Sequence, residues 1–305
     1  MPSFRSIKNH LVNLTDVRYR RFYMQRRDVS IASRERRSDA IAAQLPRFAG
    51  TLTPAADRVA ADMKSSGFAM VSDIIPVAAV STLRDYFAKQ MAKSPYHPEF
   101  PAFLPPENPP AGIHVAFVPN DIVARAPMIY DIINHPVLLA AVAKVLGGKP
   151  TIGYMAAWWS LPANDGKAMH AENYHRDVDD WRFVKLFVYL TDVDDESGPH
   201  IFVPGSHNAD KLTDIRRYTE DEVFAAFGRD CEKRFTGPAG TAFLENTYGF
   251  HRGLPPLRRP RLAISVTYCI ESVPYGPKTP VATIGEGGVP ANIDRFINRI
   301  YCRTK

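Results

Sequence analysis

The sequence predicts a mainly β protein, with helices packed around a β-sandwich or jelly roll. Three observations carry that expectation. The first half of the chain alternates helical apolar patterns with Gly and Pro stops. From Thr151 onward the pattern changes to short strands separated by Gly, Pro, Asn and Asp clusters. With 305 residues and 45% hydrophobic content, the chain can bury one large core. No internal repeat is visible.

The first 50 residues stand apart by charge. They hold 11 Lys/Arg and 4 Asp/Glu, whereas the remainder holds 27 Lys/Arg and 28 Asp/Glu. The net charge of +6 therefore belongs to a leader, and the near-neutral body argues against a nucleic-acid partner. Phe4, Ile7, Leu11 and Leu14 line one side of a helix, followed by Arg18, Arg20, Arg21, Arg26 and Arg27. Such a stripe is expected to pack on its own domain or on a second subunit, and weak contact of residues 1–27 with an anionic membrane is the alternative. Residues 28–40 are rich in charge and poor in apolar side chains, so they read as a solvated connector. The domain expectation is a leader over 1–50, partly helical or flexible, and a single domain over 51–305. Within that domain the strand core covers about 151–270 and an extension covers 271–305.

Thr53 and Pro54 open a helix that Gly67 closes near Ser66, and a short strand follows at 68–71. Pro76 opens a second helix to about Met91, with Val80, Leu83, Tyr86 and Phe87 on one side. Seven prolines between Pro95 and Pro110 forbid regular structure there, leaving a surface excursion or a lid. A helix over 128–146 is interrupted at His135-Pro136, where Pro136 begins a new segment. Strands are expected at 151–159, 183–190, 200–203, 241–245 and 262–270, with a capped helix at 219–227. A last amphipathic helix is expected at 293–301.

Cys231, Cys269 and Cys302 are too few and too scattered for a disulfide framework or a zinc cluster, which points to a reducing, cytoplasmic setting. No apolar run approaches the roughly 20 residues needed to cross a bilayer.

The chemistry centres on His175-Arg176-Asp177. Two residues apart on an extended backbone, His175 and Asp177 leave the same face and can meet one cation. Nine histidines make one such pair roughly an even chance in a chain of this length, so the pair alone is weak. A strand follows it, and His251 lies 76 residues further on, beyond the strands. Two imidazoles and one carboxylate on one side of a metal leave open positions opposite, the arrangement of non-haem Fe(II) oxygenases. If 2-oxoglutarate is the electron-supplying co-substrate, its distal carboxylate needs a bidentate cation in a dry pocket. Arg261 opens an apolar strand ten residues after His251 and is the chosen cation. Ser265 and Thr267 share its strand parity and can add a hydroxyl. Lys185 is expected either to reach a substrate or co-substrate carboxylate or to extend to solvent from the strand end. Arg258 and Arg259 read as solvated, His170 and Glu172 as surface or pocket rim, and His207 as part of a turn. His200 is left open between pocket and core, and Trp158, Trp159 and Trp181 between pocket wall and core.

At these residues the chain resembles the phytanoyl-CoA dioxygenase-like family of Fe(II)/2-oxoglutarate oxygenases. The resemblance rests on His175-Arg176-Asp177, Lys185 to Asp192, Ser197-Gly198-Pro199, Pro204-Gly205-Ser206-His207, His251-Arg252-Gly253 and Arg261 with Ala263-Ile264-Ser265. It covers about 53–270. It implies a double-stranded β-helix of the jelly-roll, cupin-like type, packed by N-terminal helices. It also implies that His175, Asp177 and His251 hold Fe(II) and that Arg261 holds 2-oxoglutarate. The implied reaction consumes O2 and couples hydroxylation of a small or medium organic substrate to decarboxylation of 2-oxoglutarate to succinate and CO2. A carboxylate at Asp177, where related halogenases carry a small residue, favours hydroxylation. The alternatives are a redox-neutral cupin-type isomerase or hydrolase and a non-catalytic binding jelly roll.

Overall fold

A computed structural model describes residues 16–162 and 168–305. The stripe from Phe4 to Leu14 lies outside the described residues, as do residues 163–167. The leader that is described folds as two helices, α1 (Val17–Gln25) and α2 (Ile31–Ala42), both laid on the body of the protein. In α1, Arg18 donates to the carbonyls of Gly276 and Pro277, and Arg21 pairs with Glu271 at 2.6 Å.

The expectation of a solvated connector over 28–40 is corrected by α2. Arg34 is 4% exposed and donates to the Asp180 carbonyl at 2.8 Å, with its guanidinium 4.3 Å from the Tyr248 ring and 5.4 Å from that of Trp181. A charge-rich sequence conceals this because an arginine can be desolvated when carbonyls and aromatic faces replace its water, and periodicity does not show such partners.

Helix α3 (Pro54–Ser66) begins where the Thr53 hydroxyl accepts from the Ala56 amide, and it ends on Gly67 at a φ of 86°. Next come strand β1 (Phe68–Met70) and α4 (Val77–Phe87). After the Pro-rich excursion lie β2 (Val115–Phe117), α5 (Asn120–Val123) and α6 (Ile129–Ile133). Pro136 then starts α7 (Pro136–Leu146), which Gly147 stops in the left-handed conformation. The long strands follow as β3 (Thr151–Ser160) and β4 (Phe183–Tyr189), then the short β5 (His200–Phe202), α8 (Glu220–Phe227), β6 (Lys233–Phe235), β7 (Ala242–Glu245), β8 (His251–Gly253) and β9 (Arg261–Cys269).

Six strands form an antiparallel sheet in the order β1-β7-β4-β9-β3-β2, and β6-β5-β8 form a second antiparallel sheet. This is the expected jelly-roll class, mainly β with flanking helices. Strand parity assigns the two faces of the larger sheet. Leu186, Val188, Leu244, Ile264 and Val266 pack into one cluster with Val59 and Met63 of α3 and with Leu138 and Val142 of α7. Phe187, Tyr189, Phe243 and Ala263 turn the other way and meet Phe202 and Phe235 of the smaller sheet.

The helix expected over 293–301 is a run of turns leading to β11 (Cys302–Arg303), which pairs in parallel with β10 (Ala282–Thr283). The Asp294 carboxylate accepts from the Phe296 and Ile297 amides, so a side chain competes with the helical ladder there. Ile297 and Tyr301 are still buried, as the apolar pattern required. Among the described residues, no helix is long and apolar enough to cross a membrane.

Candidate metal centre

His175 and His251 come together through a short antiparallel bridge in which each amide donates to the other's carbonyl, at 3.1 and 3.2 Å. The Asp177 amide continues the register by donating to the Thr247 carbonyl at 2.8 Å. Nδ1 of His175 lies 2.9 Å from the Asn173 carbonyl and Nδ1 of His251 lies 3.0 Å from the Gly249 carbonyl. A carbonyl only accepts, so both Nδ1 atoms carry the proton and both Nε2 lone pairs are left for a cation. They converge on Asp177, with His175 Nε2 at 3.6 Å from Oδ1 and His251 Nε2 at 3.3 Å from Oδ2. One ligand atom from each of the three residues lies within 4.8 Å of the others. Against the effect of burial, Asp177 raises the His251 imidazole above its ordinary value, so a cation entering the trio would take the place of a proton there. Two imidazoles and a carboxylate on one side fit a divalent cation with positions open to the cavity.

The charges around the trio fix its protonation. Burial alone would raise the Asp177 carboxyl, but Lys185 and His251 hold it well below the usual range. Burial and the neighbouring His251 push His175 well below the ordinary imidazole value, which keeps it neutral. The Lys185 ammonium is fixed between Asp177 Oδ2 at 2.7 Å and Asp179 Oδ2 at 2.8 Å. Lys185 therefore faces the trio, and the carboxylates it meets belong to the protein.

The trio forms one end of a cavity of about 230 Å³ between the two sheets. Arg261 lies in the same cavity, 4% exposed, with one Nη2–H donated to the Ser160 hydroxyl at 3.1 Å. Among the described residues, its Nε and Nη1 have no hydrogen-bond partner. A buried guanidinium with two open donors is costly unless an acceptor arrives, and a carboxylate matches that fork. Gly253 opposite leaves it room, since a Cβ there would sit 3.3 Å from Arg261 Nη2. Ser265 lines the cavity, whereas Thr267 lies two residues further along the strand, fully buried and outside the lining.

The Pro-rich excursion contributes Ser94, Tyr96 and His97 to the cavity wall. His170 also lines it, stacked on Tyr96 at 3.8 Å between ring centroids. Trp158 faces the cavity, while Trp159 points into the helix-covered core. Arg258 and Arg259 are exposed, paired with Glu196 and Asp194, and His207 lies in a turn bonded to Asn208.

Sequence reasoning missed two buried pairs that line or adjoin the cavity. Glu172 accepts from His114 at 2.9 Å, and Glu245 meets His200 Nε2 at the same distance. The available signal was Glu245 itself, a carboxylate closing the apolar strand Ala-Phe-Leu-Glu, which demanded a buried partner.

Solved structures share this architecture at low identity. A crystal structure of the non-heme alpha ketoglutarate dependent carbocyclase SnoK from nogalamycin biosynthesis aligns with a TM-score of 0.51 and 16% identity, covering 72% of this chain and 87% of that one. EctD from S. alaskensis, crystallised with 2-oxoglutarate and 5-hydroxyectoine, aligns with a TM-score of 0.51 and 18% identity over 86% of this chain and 94% of its own. No curated protein sequence matches the chain. The profile for phytanoyl-CoA dioxygenase (PhyH) matches residues 63–255, from the last turn of α3 through β8, which includes the trio and stops short of β9 and Arg261. The chain therefore belongs to the phytanoyl-CoA dioxygenase family, an enzyme of the iron- and 2-oxoglutarate-dependent type.

Proposed function

We propose that the protein hydroxylates a small or medium organic substrate, consuming O2 and converting 2-oxoglutarate to succinate and CO2. The observation that carries this reading is the pairing, in one cavity, of a three-ligand centre with the Arg261 guanidinium and its two open donors. In this reading His175, Asp177 and His251 hold Fe(II) through two Nε2 atoms and a carboxylate oxygen. Lys185 keeps Asp177 ionised and oriented by holding Oδ2. The carbonyls of Asn173 and Gly249 keep both imidazoles in the tautomer that offers Nε2.

Arg261 binds the distal carboxylate of the keto acid, Ser160 steadies its fork, and the Ser265 hydroxyl faces the same space. Thr267, on the same strand parity, lies opposite Lys185 and outside the cavity lining, so it takes no part in this subsite. When bound, iron with 2-oxoglutarate supplies the oxidising power to place one atom of O2 in a substrate C–H bond and the other in succinate. Phe187 and Trp158 keep the cavity largely apolar, which excludes water from the reacting groups. Tyr96 and His170 form the wall where a substrate meets the centre. The jelly-roll domain is residues 51–305 with α1 and α2 packed on it, and three free cysteines suit a reducing, cytoplasmic setting.

A redox-neutral isomerase or hydrolase would use the three ligands but leave Arg261 without an acceptor. Anaerobic addition of Fe(II) and 2-oxoglutarate should give a weak visible charge-transfer band that His175→Ala abolishes. A wild-type protein that loads Fe(II) yet shows no band overturns the reading. A screen of succinate release against candidate metabolites then identifies the substrate.

A further inference from the structure

Asp177 borders two cavities. One is the space it shares with Arg261, and the other is a trough of about 300 Å³ that is lined also by Phe22, Arg26, Arg217 and Tyr275. An aromatic step joins them, since Tyr154 lines the first, Tyr275 lines the second, and their ring centroids are 5.9 Å apart.

Three separate parts of the chain build the trough. Phe22 belongs to α1 and Arg26 follows its last turn, while Tyr275 comes from the extension after β9 and meets Phe22 edge to face at 6.1 Å. Arg217 comes from the segment before α8. Its neighbour Tyr218 is buried and donates its amide at 2.9 Å to the carbonyl of Tyr174, one residue before His175. The backbone thereby holds Arg217 beside the trio, where its charge bears on Asp177 and His175 and on the rings of Tyr96 and Tyr275.

The charge left over in the trough is positive. Its carboxylates, Asp177 and Asp179, are both engaged by the Lys185 ammonium. Arg216 pairs with Glu222 at 2.6 Å, and Arg176 spends four contacts on the carbonyls of Ser206, Ala209, Lys211 and Tyr248. Arg26 reaches the Ile215 carbonyl at 3.4 Å and the Phe22 ring at 5.8 Å, neither of which neutralises it. Among the described residues, the Arg217 guanidinium has no ion pair and no hydrogen bond. Solvated arginines ordinarily diverge into water. These two converge next to an aromatic wall and repel each other there, a repulsion that an oxyanion between them would relieve.

We propose that the substrate carries an oxyanion, a carboxylate or a phosphate, which Arg217 and Arg26 hold in this trough while its carbon body lies along Tyr275 and Tyr154 toward the centre. The inference rests on the oxygenase reading and names the substrate class for it. Two anions are then sorted by depth, the keto acid at the buried Arg261 and the substrate at the exposed pair.

The test measures binding to the full-length protein loaded with Fe(II) and 2-oxoglutarate without oxygen, read from broadening of ligand proton signals, which also reports closeness to the paramagnetic iron. The probes are matched pairs of one shape and different charge: phenylacetate with phenylacetamide, octanoate with octanamide, and phenyl phosphate with phenol. In at least one pair the anion should bind about 10-fold tighter than its neutral partner, and added salt should shrink that preference. Arg217→Gln should cut the preference about 5- to 10-fold and Arg26→Gln about 2- to 3-fold, with Arg217→Lys keeping part of it. Both side chains lie at the surface, so the variants fold. Comparison of phenylacetate with phenyl phosphate tells which oxyanion the trough takes. No anion outbinding its partner in any pair, or a preference untouched by Arg217→Gln, overturns the proposal. So does an Arg217→Gln protein that loses 2-oxoglutarate as far as Arg261→Gln does, since the arginine would then serve the co-substrate. Absence of the 2-oxoglutarate band from the Fe(II)-loaded wild type overturns the oxygenase reading itself, and it is seen before any probe is added.

Discussion

The two faces of the six-stranded sheet are made by the same strands and differ in almost everything else. Toward α3 and α7, Leu186, Val188, Leu244, Ile264 and Val266 form a wholly apolar layer. One residue out of step, Lys185, Phe187, Glu245, Arg261 and Ser265 face the smaller sheet and mix aromatic rings with buried charges. A period of two thus lets one sheet serve as a stability face and a chemistry face without compromise in either. The polar groups on the chemistry face are tolerable because nearly each is paired within the protein: Lys185 with two aspartates, Glu245 with His200, Arg261 in part with Ser160. The open donors of Arg261 stand out against that background.

Substitutions can break the comparison at each face. The largest effect is expected from His251→Ala, which should bring Fe(II) binding and succinate production to background while thermal stability changes little, as read by metal content after gel filtration. Leu186→Ala on the opposite face should do the reverse, costing about 2–5 kcal/mol in urea denaturation with metal affinity retained. Loss of metal binding by folded Leu186→Ala protein would show that the faces are coupled. Arg261→Gln should weaken 2-oxoglutarate about 10- to 100-fold by calorimetry and leave Fe(II) binding alone. Ser265→Ala is the mildest, about 2- to 5-fold in the same measurement. A Ser265 effect equal to that of Arg261 would move the subsite along the strand.

Legibility in the sequence followed the same division. The strands β3, β4 and β9 were readable because burial on both faces makes them nearly continuous apolar runs. The break before Pro136 was readable because proline restricts the residue preceding it. Three-residue strands such as β2, β6 and β8 carry too few residues for a period to show. Around the centre, His175, Asp177, His251 and Arg261 could be named from their positions next to strand starts. The Glu245–His200 and Glu172–His114 pairs could not, because they join residues 45 and 58 positions apart, the first across the two sheets and the second between a 3-10 turn and the residue before β2. Residues 28–40 failed for a related reason, since the burial of Arg34 depends on Trp181 and Tyr248 lying beneath it.

That buried arginine also determines where the protein can be trimmed. Tyr248 donates its hydroxyl to the Val29 carbonyl and stands three residues before His251 in the chain, while the Asp180 and Trp181 carbonyls held by Arg34 lie just past Asp177. A polypeptide begun at residue 50, the natural cut suggested by the change in charge, would leave two aromatic faces and two carbonyls uncovered on the segments that carry the trio. Affinity tags and fusion partners therefore belong at the C-terminus, where Arg303 and Lys305 are exposed, or ahead of residue 16.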